Sequence, residues 1–259
     1  MAELAEFLGC PAVVNSPEMR LVLDRVKRLA PLNSAVLITG EIGTGKELVA
    51  RALHHFSPRS NQAWVDVSCP ALPLHRAESE LFGQEDQRHP KFCSPEGLFE
   101  FANRGTIFLH EVGELDAPMQ TRLLLVLDGA AYCRPGGSRQ ISVDVRVVAA
   151  TSQDLRSKVE EGSFRADLYY RLTQLQLPVP ALRERRSDIV PLARYFLDRQ
   201  GISHVLTPEV EAALLAYHWP GNIRQLRYVV TNAGARCAGP DLRLEHLPAE
   251  LQRSRPYDC

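Results

Sequence analysis

A chain of 259 residues, 45% hydrophobic and 24% charged, can bury a sizeable core, which excludes long disorder and leaves room for a main domain with a smaller one. Its 30 lysines and arginines against 31 aspartates and glutamates give a formal net charge of −1, so no global basic excess neutralises phosphates and any nucleic-acid contact has to be local. Six scattered cysteines without C-x-x-C spacing exclude a zinc knuckle or a disulfide framework, and no basic leader or membrane-length apolar run is seen; a reduced cytosolic protein is expected.

Short apolar runs rich in β-branched residues recur at Ala35–Thr39, Ala63–Val67, Thr106–Leu109, Val143–Ala150 and Leu175–Leu177. Between them lie amphipathic stretches such as Lys46–His55 and Pro118–Asp128, the second with Met119, Leu123, Val126 and Leu127 on one face and Pro118 suited to a first helical turn. This alternation predicts an α/β fold with a parallel sheet between helices. The turn chemistry of Tyr132–Ser138 predicts a hairpin-like excursion ahead of the Val143 run. Beyond Arg183 the apolar spacing is helical and no further strand is expected. The predicted division is therefore an α/β core over 1–183 and a small helical lid over 184–259.

Gly40-Glu41-Ile42-Gly43-Thr44-Gly45-Lys46 satisfies G-x-x-x-x-G-K between an apolar run and a helical pattern, the context that makes it a P-loop. Its glycines let backbone N–H groups converge on phosphate oxygens, the helix N-terminus adds partial positive charge, and Lys46 reaches the β/γ-phosphates. ATP is the expected ligand of Gly40 through Glu47. Glu47 stands where serine or threonine would offer a hydroxyl to Mg²⁺.

Gly40 to Glu47, Glu80-Leu81-Phe82-Gly83, Gly105 to Glu111, Phe164 to Leu172, Leu182-Arg183-Glu184-Arg185 and Trp219 to Leu226 together resemble, in register and in order, the central AAA+ domain of sigma-54-dependent bacterial transcription activators. The resemblance runs from about Phe7 to about Leu251, and a loop ending in Lys-Glu is usual in that family. It implies a P-loop ATPase that forms ring oligomers, usually hexamers, and remodels sigma-54 RNA polymerase. Carried over, Lys46 resembles the Walker A lysine and Glu111 the Walker B glutamate that orients the attacking water. Arg165 and Arg171 resemble arginine fingers, which can supply about 10³–10⁵ in rate in phosphoryl transfer. The plain alternative for them is a surface salt bridge to Asp167 or Glu160. Thr151 matches sensor I and Arg224 sensor II, while Asn222 has the look of a helix N-cap.

Three positions depart from the family. His110 occupies the Walker B aspartate position, where Mg²⁺ prefers oxygen; an imidazole is a doubtful ligand for it, and impaired turnover is expected. The plainer reading, a tolerated polar residue at a strand end, stays open. Ser68 replaces an asparagine that holds the Walker B glutamate in a switchable pose, and it is too short to do so identically. Glu85–Glu96 takes the place of the GAFTGA tip that contacts sigma-54, so this segment either serves a different partner or is released from selection for one. The chain is also expected to hold no DNA-binding or sensory domain, which leaves DNA targeting to a partner. Self-association, with sigma-54 RNA polymerase or another AAA+ activator as further partners, completes the expectation; a pseudo-ATPase ring subunit and an active activator with an atypical loop remain alternatives.

His54-His55 is expected to be structural and cationic at a helix C-terminus. Arg183, Arg185 and Arg186, interleaved with Glu184 and Asp188, suggest a solvated hinge face. Cys69 is expected to be buried filler, and Tyr169 and Tyr170 packing residues.

Overall fold

The computed structural model describes residues 3–72, 76–84, 96–201 and 204–252. Its contacts divide the chain into two compact units, Met1–Asp24 with Gly40–Leu48 and Val179–Cys259, and Arg25–Thr39 with Val49–Pro178.

The chain opens with an antiparallel hairpin, β1 (Glu3–Phe7) and β2 (Cys10–Val14), turned through Leu8 and Gly9 at φ of +49° and +73°. Helix α1 (Pro17–Leu29) follows, then β3 (Val36–Thr39), α2 (Lys46–His55), β4 (Trp64–Ser68), α3 (Ala77–Phe82), α4 (Leu98–Phe101) and β5 (Thr106–His110). Next come α5 (Ala117–Leu127), β6 (Tyr132–Cys133), β7 (Gln140–Ile141), β8 (Arg146–Thr151), α6 (Leu155–Glu160), α7 (Ala166–Leu172) and β9 (Gln176–Pro178). The excursion expected at 132–138 is the β6–β7 antiparallel pair. Asp116 caps α5 by accepting from the Met119 N–H at 2.9 Å, with Pro118 in the first turn where no intrahelical donor is lost.

In the second unit five strands form one sheet in the order β4-β5-β8-β3-β9, every neighbouring pair parallel. Parallel neighbours require long crossovers, which the intervening helices supply. All six residues of β8 are buried, as befits a central strand covered on both faces. On one face Leu37, Ile107, Leu109, Val147 and Ala149 pack with Leu81, Phe82, Leu123 and Leu168. On the other, Trp64 stacks on Phe108 with ring centroids 5.6 Å apart, and His54 of α2 meets Trp64 edge-on at 5.3 Å. Arg146 is buried and donates to the carbonyls of Ala30 and Leu29 at 2.7 and 3.0 Å, closing the end of α1 with a cation as the helix dipole favours.

His54 departs from expectation. It is 1% exposed, its Nδ1 lies 2.9 Å from Thr106 Oγ1, and burial pushes its pKa down, so the imidazole is neutral rather than cationic. Cys69 is buried and its thiol is pushed up to about 12 by desolvation, which fits its reading as filler.

The C-terminal part of the first unit contains α8 (Ile189–Asp198), β10 (Val205–Leu206), α9 (Pro208–Ala216), α10 (Asn222–Arg236), β11 (Asp241–Leu242) and α11 (Ala249–Gln252). It is helical apart from the parallel β10–β11 pair, whose two-residue strands are too short to carry a sequence period. Its core joins Ile189, Leu192, Leu214, Trp219, Leu226 and Val230 with Val13 of β2. The Asp188 carboxylate accepts from the N–H groups of Asn15 and Ser16 and from Ser16 Oγ at 2.6–2.7 Å, anchoring the N-terminal segment at the start of α8. Among the described residues no helix is long and apolar enough to cross a membrane.

Candidate functional site

The glycine loop follows directly on β3 and opens α2, as its motif requires. Gly43 has φ +80°, and a Cβ there would lie 2.5 Å from the Gly221 carbonyl oxygen, so any side chain meets both strain and a clash. Lys46 is 8% exposed and donates from Nζ to the carbonyls of Gly40 at 2.7 Å and Glu41 at 3.2 Å. Its ammonium is thus held against the loop it is expected to serve.

The rest of the loop is gripped by residues from the far end of the same unit. Asn222 Nδ2 donates to the Ile42 carbonyl at 3.0 Å, and the Ile223 N–H donates to the Gly43 carbonyl at 2.9 Å. Arg185 donates to the Thr44 carbonyl. The Glu41 carboxylate takes Arg183 in a two-pronged pair and Asn222 Nδ2 at 3.1 Å. Those hydrogen bonds, Arg183 first and Asn222 second, hold its pKa at about 2. Arg224 lies exposed beside this contact, its Cβ 3.1 Å from where a Gly43 Cβ would stand.

Two expectations are corrected here. Asn222 is the first residue of α10 and not its cap; Gly221 holds the cap position, and the buried Asn222 amide also accepts from the Leu182 N–H at 2.7 Å. The basic cluster is no uniform solvated face, because Arg185 is 3% exposed and Arg183 is bound to Glu41, leaving Arg186 exposed. Burial pushes the Arg185 pKa down, with Asp188 opposing.

In the second unit the residues expected at the strand ends stand side by side. Parallel register pairs Ser68 with His110, His110 with Ala150 and Thr39 with Thr151. Glu111 follows β5 at φ +52°, and its Oε2 accepts from Ser152 N–H at 2.7 Å and Ser152 Oγ at 2.9 Å. A non-glycine residue held at positive φ marks a position fixed against local preference. Thr151 is buried, and its Oγ1 accepts from the Gln153 N–H at 3.1 Å.

His110 Nε2 lies 2.7 Å from Asp66 Oδ1 on the adjacent strand, and the other Asp66 oxygen lies 3.2 Å from Arg51. Its ring packs 4.1 Å from that of Phe108. An imidazole nitrogen engaged by a carboxylate is a poor ligand for Mg²⁺, which prefers oxygen, so the His110 side chain does not fit that ion.

Arg165 precedes α7 and forms the pair with Asp167 that the sequence offered as the plain alternative, at 2.7 and 3.0 Å, with Thr121 Oγ1 at 3.1 Å. Arg171, in the last turn of α7, pairs with Asp128 at 3.2 Å and donates to the Leu127 carbonyl at 2.8 Å. Both side chains keep about two-fifths of their surface exposed, 43% and 39%. Residues 85–95 of the expected sigma-54 contact segment lie outside the described residues. Asp66, Ser152, Arg183 and Arg185 were not singled out as site residues by sequence; only the repeated arginines of Leu182–Arg185 gave a local signal.

Comparison with known proteins places these features. The profile of the Sigma-54 interaction domain matches residues 12–178, and that of the AAA+ ATPase lid domain matches residues 183–258. The chain is 43% identical over 245 residues to the DNA-binding transcriptional regulator NtrC of Escherichia coli (strain K12), covering 92% of this chain and 52% of that protein. It is 41% identical over 247 residues to the regulatory protein AtoC of the same organism, covering 93% and 54%. It is 42% identical over 248 residues to the nitrogen fixation protein AnfA of Azotobacter vinelandii, covering 93% and 46%. The chain therefore spans about half the length of the curated relatives it matches. Crystal structures of NtrX from Brucella abortus in complex with ADP and with ATP superpose with a TM-score of 0.85 at 38% and 37% identity, covering 94% and 93% of this chain and 56% and 57% of theirs. The parallel sheet with its P-loop and lid is an AAA+ fold, and the chain belongs to the sigma-54 interaction domain family.

Proposed function

We propose that this chain is an ATP-binding AAA+ module of bacterial transcription control whose hydrolysis is weakened. The observation that carries the second half is the 2.7 Å contact between His110 and Asp66, which commits the side chain at the Walker B aspartate position to another partner. Loss of one electrostatic element in such a site commonly costs several kcal/mol of transition-state stabilisation. ATP binding is supported by the intact Gly40–Lys46 motif and by the nucleotide complexes of NtrX.

In this reading the loop amides and Lys46 take the β/γ-phosphates, with Glu47 in the first turn of α2 beside them. Glu111 orients the attacking water, Thr151 and Arg224 sense the nucleotide, and Arg165 and Arg171 act on a neighbouring copy. The ATPase core covers 1–183 and the lid 184–259. The chain assembles into a ring, with six copies expected, in the bacterial cytoplasm, contacts sigma-54 RNA polymerase or another AAA+ activator, and does not itself grip DNA. His110 also favours a second reading, a subunit that binds nucleotide and modulates an active ring without turning ATP over.

The test is steady-state phosphate release with Mg²⁺, comparing the native chain with His110→Asp. A gain of at least about tenfold on substitution is expected from the electrostatic deficit. Full native turnover, unchanged by the substitution, overturns the reading of position 110. No native turnover despite saturable ATP binding selects the second reading.

A further inference from the structure

We infer that residues 182–185 and Asn222 form a positioning device for the phosphate loop, setting its affinity for polyphosphate without touching the phosphates themselves. The inference rests on the reading that the loop binds the phosphates of a nucleotide.

Three successive loop carbonyls, those of Ile42, Gly43 and Thr44, are each engaged by a donor from the lid end of the unit: Asn222 Nδ2, the Ile223 N–H and Arg185. In a trans peptide the N–H points opposite to its carbonyl, and the described residues contain no cis peptide bond. Fixing these carbonyls therefore turns the N–H groups of the next residues away from the lid donors, and a loop of ordered amides is what binds an anion. Arg185 and Asn222 are 3% and 0% exposed, so neither contact is a solvated accident. Asn222 uses its whole amide: it accepts from Leu182 N–H and donates to both Ile42 and Glu41. Arg183 then closes on Glu41 from the same segment, two residues before Arg185. The absence of space for a Cβ at Gly43 completes the fit of loop to lid segment.

Positioning that is already made before the ligand arrives raises affinity by removing an ordering cost. The device thus predicts loss of phosphate-dependent affinity with little loss of affinity for the nucleoside.

The experiment is titration of the full chain with a fluorescent ATP analogue, with ADP and adenosine as competitors, in chelator and in Mg²⁺. The variants are Asn222→Ala, Arg183→Gln, Arg183→Lys, Glu41→Gln and the Glu41→Gln/Arg183→Gln pair, with exposed Arg186→Gln as control and thermal melting to verify folding. Asn222→Ala, which removes buried contacts, is expected to weaken ATP and ADP about tenfold; Arg183→Gln, whose pair with Glu41 is open to solvent, is expected to weaken both about threefold. Adenosine competition stays unchanged, Arg183→Lys recovers part of the loss, and the double variant is no weaker than the weaker single one. If the folded variants bind ATP like the native chain, or lose adenosine equally, the device is overturned while the nucleotide reading stands. If the native chain binds no adenine nucleotide, the nucleotide reading itself fails and takes the device with it. Should Asn222→Ala not fold, Arg183→Gln and the cycle with Glu41 decide the matter alone.

Discussion

The two units treat their share of the nucleotide machinery differently. In the first, all motif positions from Gly40 to Lys46 are kept, and the carbonyls of Gly40 to Thr44, the Glu41 carboxylate and the Lys46 ammonium have partners. In the second, the strand ends keep Glu111 and Thr151 but carry His110, bound to Asp66, and Ser68. If the proposed roles hold, affinity and turnover are separable here, because the groups proposed to hold a triphosphate and those proposed to activate its cleavage reside on different parts of the chain. A substitution in one is expected to leave the other's quantity alone.

The largest expected effect sharpens this contrast. In the His110→Asp background, Arg171→Ala should lower steady-state phosphate release by about 10³ while ATP affinity stays within about twofold, since a finger arginine acts on transition-state charge. Equal losses of rate and affinity would break the comparison.

Next in size is Trp219→Ala. The indole is fully buried at φ +52° and donates to the Leu214 carbonyl at 2.8 Å. Its removal should cost about 3–5 kcal/mol in urea unfolding. Because Asn222 and Ile223 follow in the same turn, ATP affinity should fall with it. An unfolding loss with unchanged affinity would mean that the loop keeps its shape without the lid.

Much of the sheet and of the loop motif was legible in the sequence, and the remainder was hidden for physical reasons. Short apolar runs located all five sheet strands, most clearly β3, β5 and β8, which are continuous buried segments of the parallel sheet. The β1–β2 hairpin was invisible because Leu8 occupies a left-handed turn position without a turn residue's chemistry, and Pro11 sits within a paired strand. The motif gave Lys46 and Glu111, yet it did not give their neighbours. Arg183 meets Glu41 across 142 positions and Asp66 meets His110 across 44, separations that leave no local period to read. His54 misled because a histidine in a last helical turn suggests a cation until the packing of Trp64 and Thr106 around it is known.

That misreading supplies a smaller prediction confined to the second unit. Burial lowers the His54 pKa from near 6.5, so below that pH the unfolded chain binds a proton that the native chain resists. The native state therefore keeps the benefit above about pH 6.5 and loses stability progressively below it. His54→Leu should flatten the fall in urea midpoint between about pH 7.5 and about 5.5, even if its overall stability is lower through loss of the Thr106 contact. ATP affinity should not follow this profile; a parallel fall would mean that the packing around His54 bears on the phosphate loop.

The smallest effect lies in the loop itself. Glu41 has its pKa depressed to about 2 by Arg183 and Asn222, so its charge contributes stability that is fully present above the unfolded carboxylate value near 4.5 and is lost as pH falls from there toward 2. The pair is open to solvent, with side chains 44% and 38% exposed, and screening limits its worth to less than about 1 kcal/mol. Glu41→Gln should accordingly lower the neutral-pH urea midpoint only slightly, and the gap from the native chain should close on acidification and narrow in about 1 M salt. A gap that persists unchanged through both treatments would assign the role of Glu41 to the shape of its hydrogen bonds with Asn222 and not to its charge. The loop would then be held by the buried Asn222 and Arg185 alone, which is the part of the first unit that neither acid below the unfolded carboxylate range nor salt can readily reach.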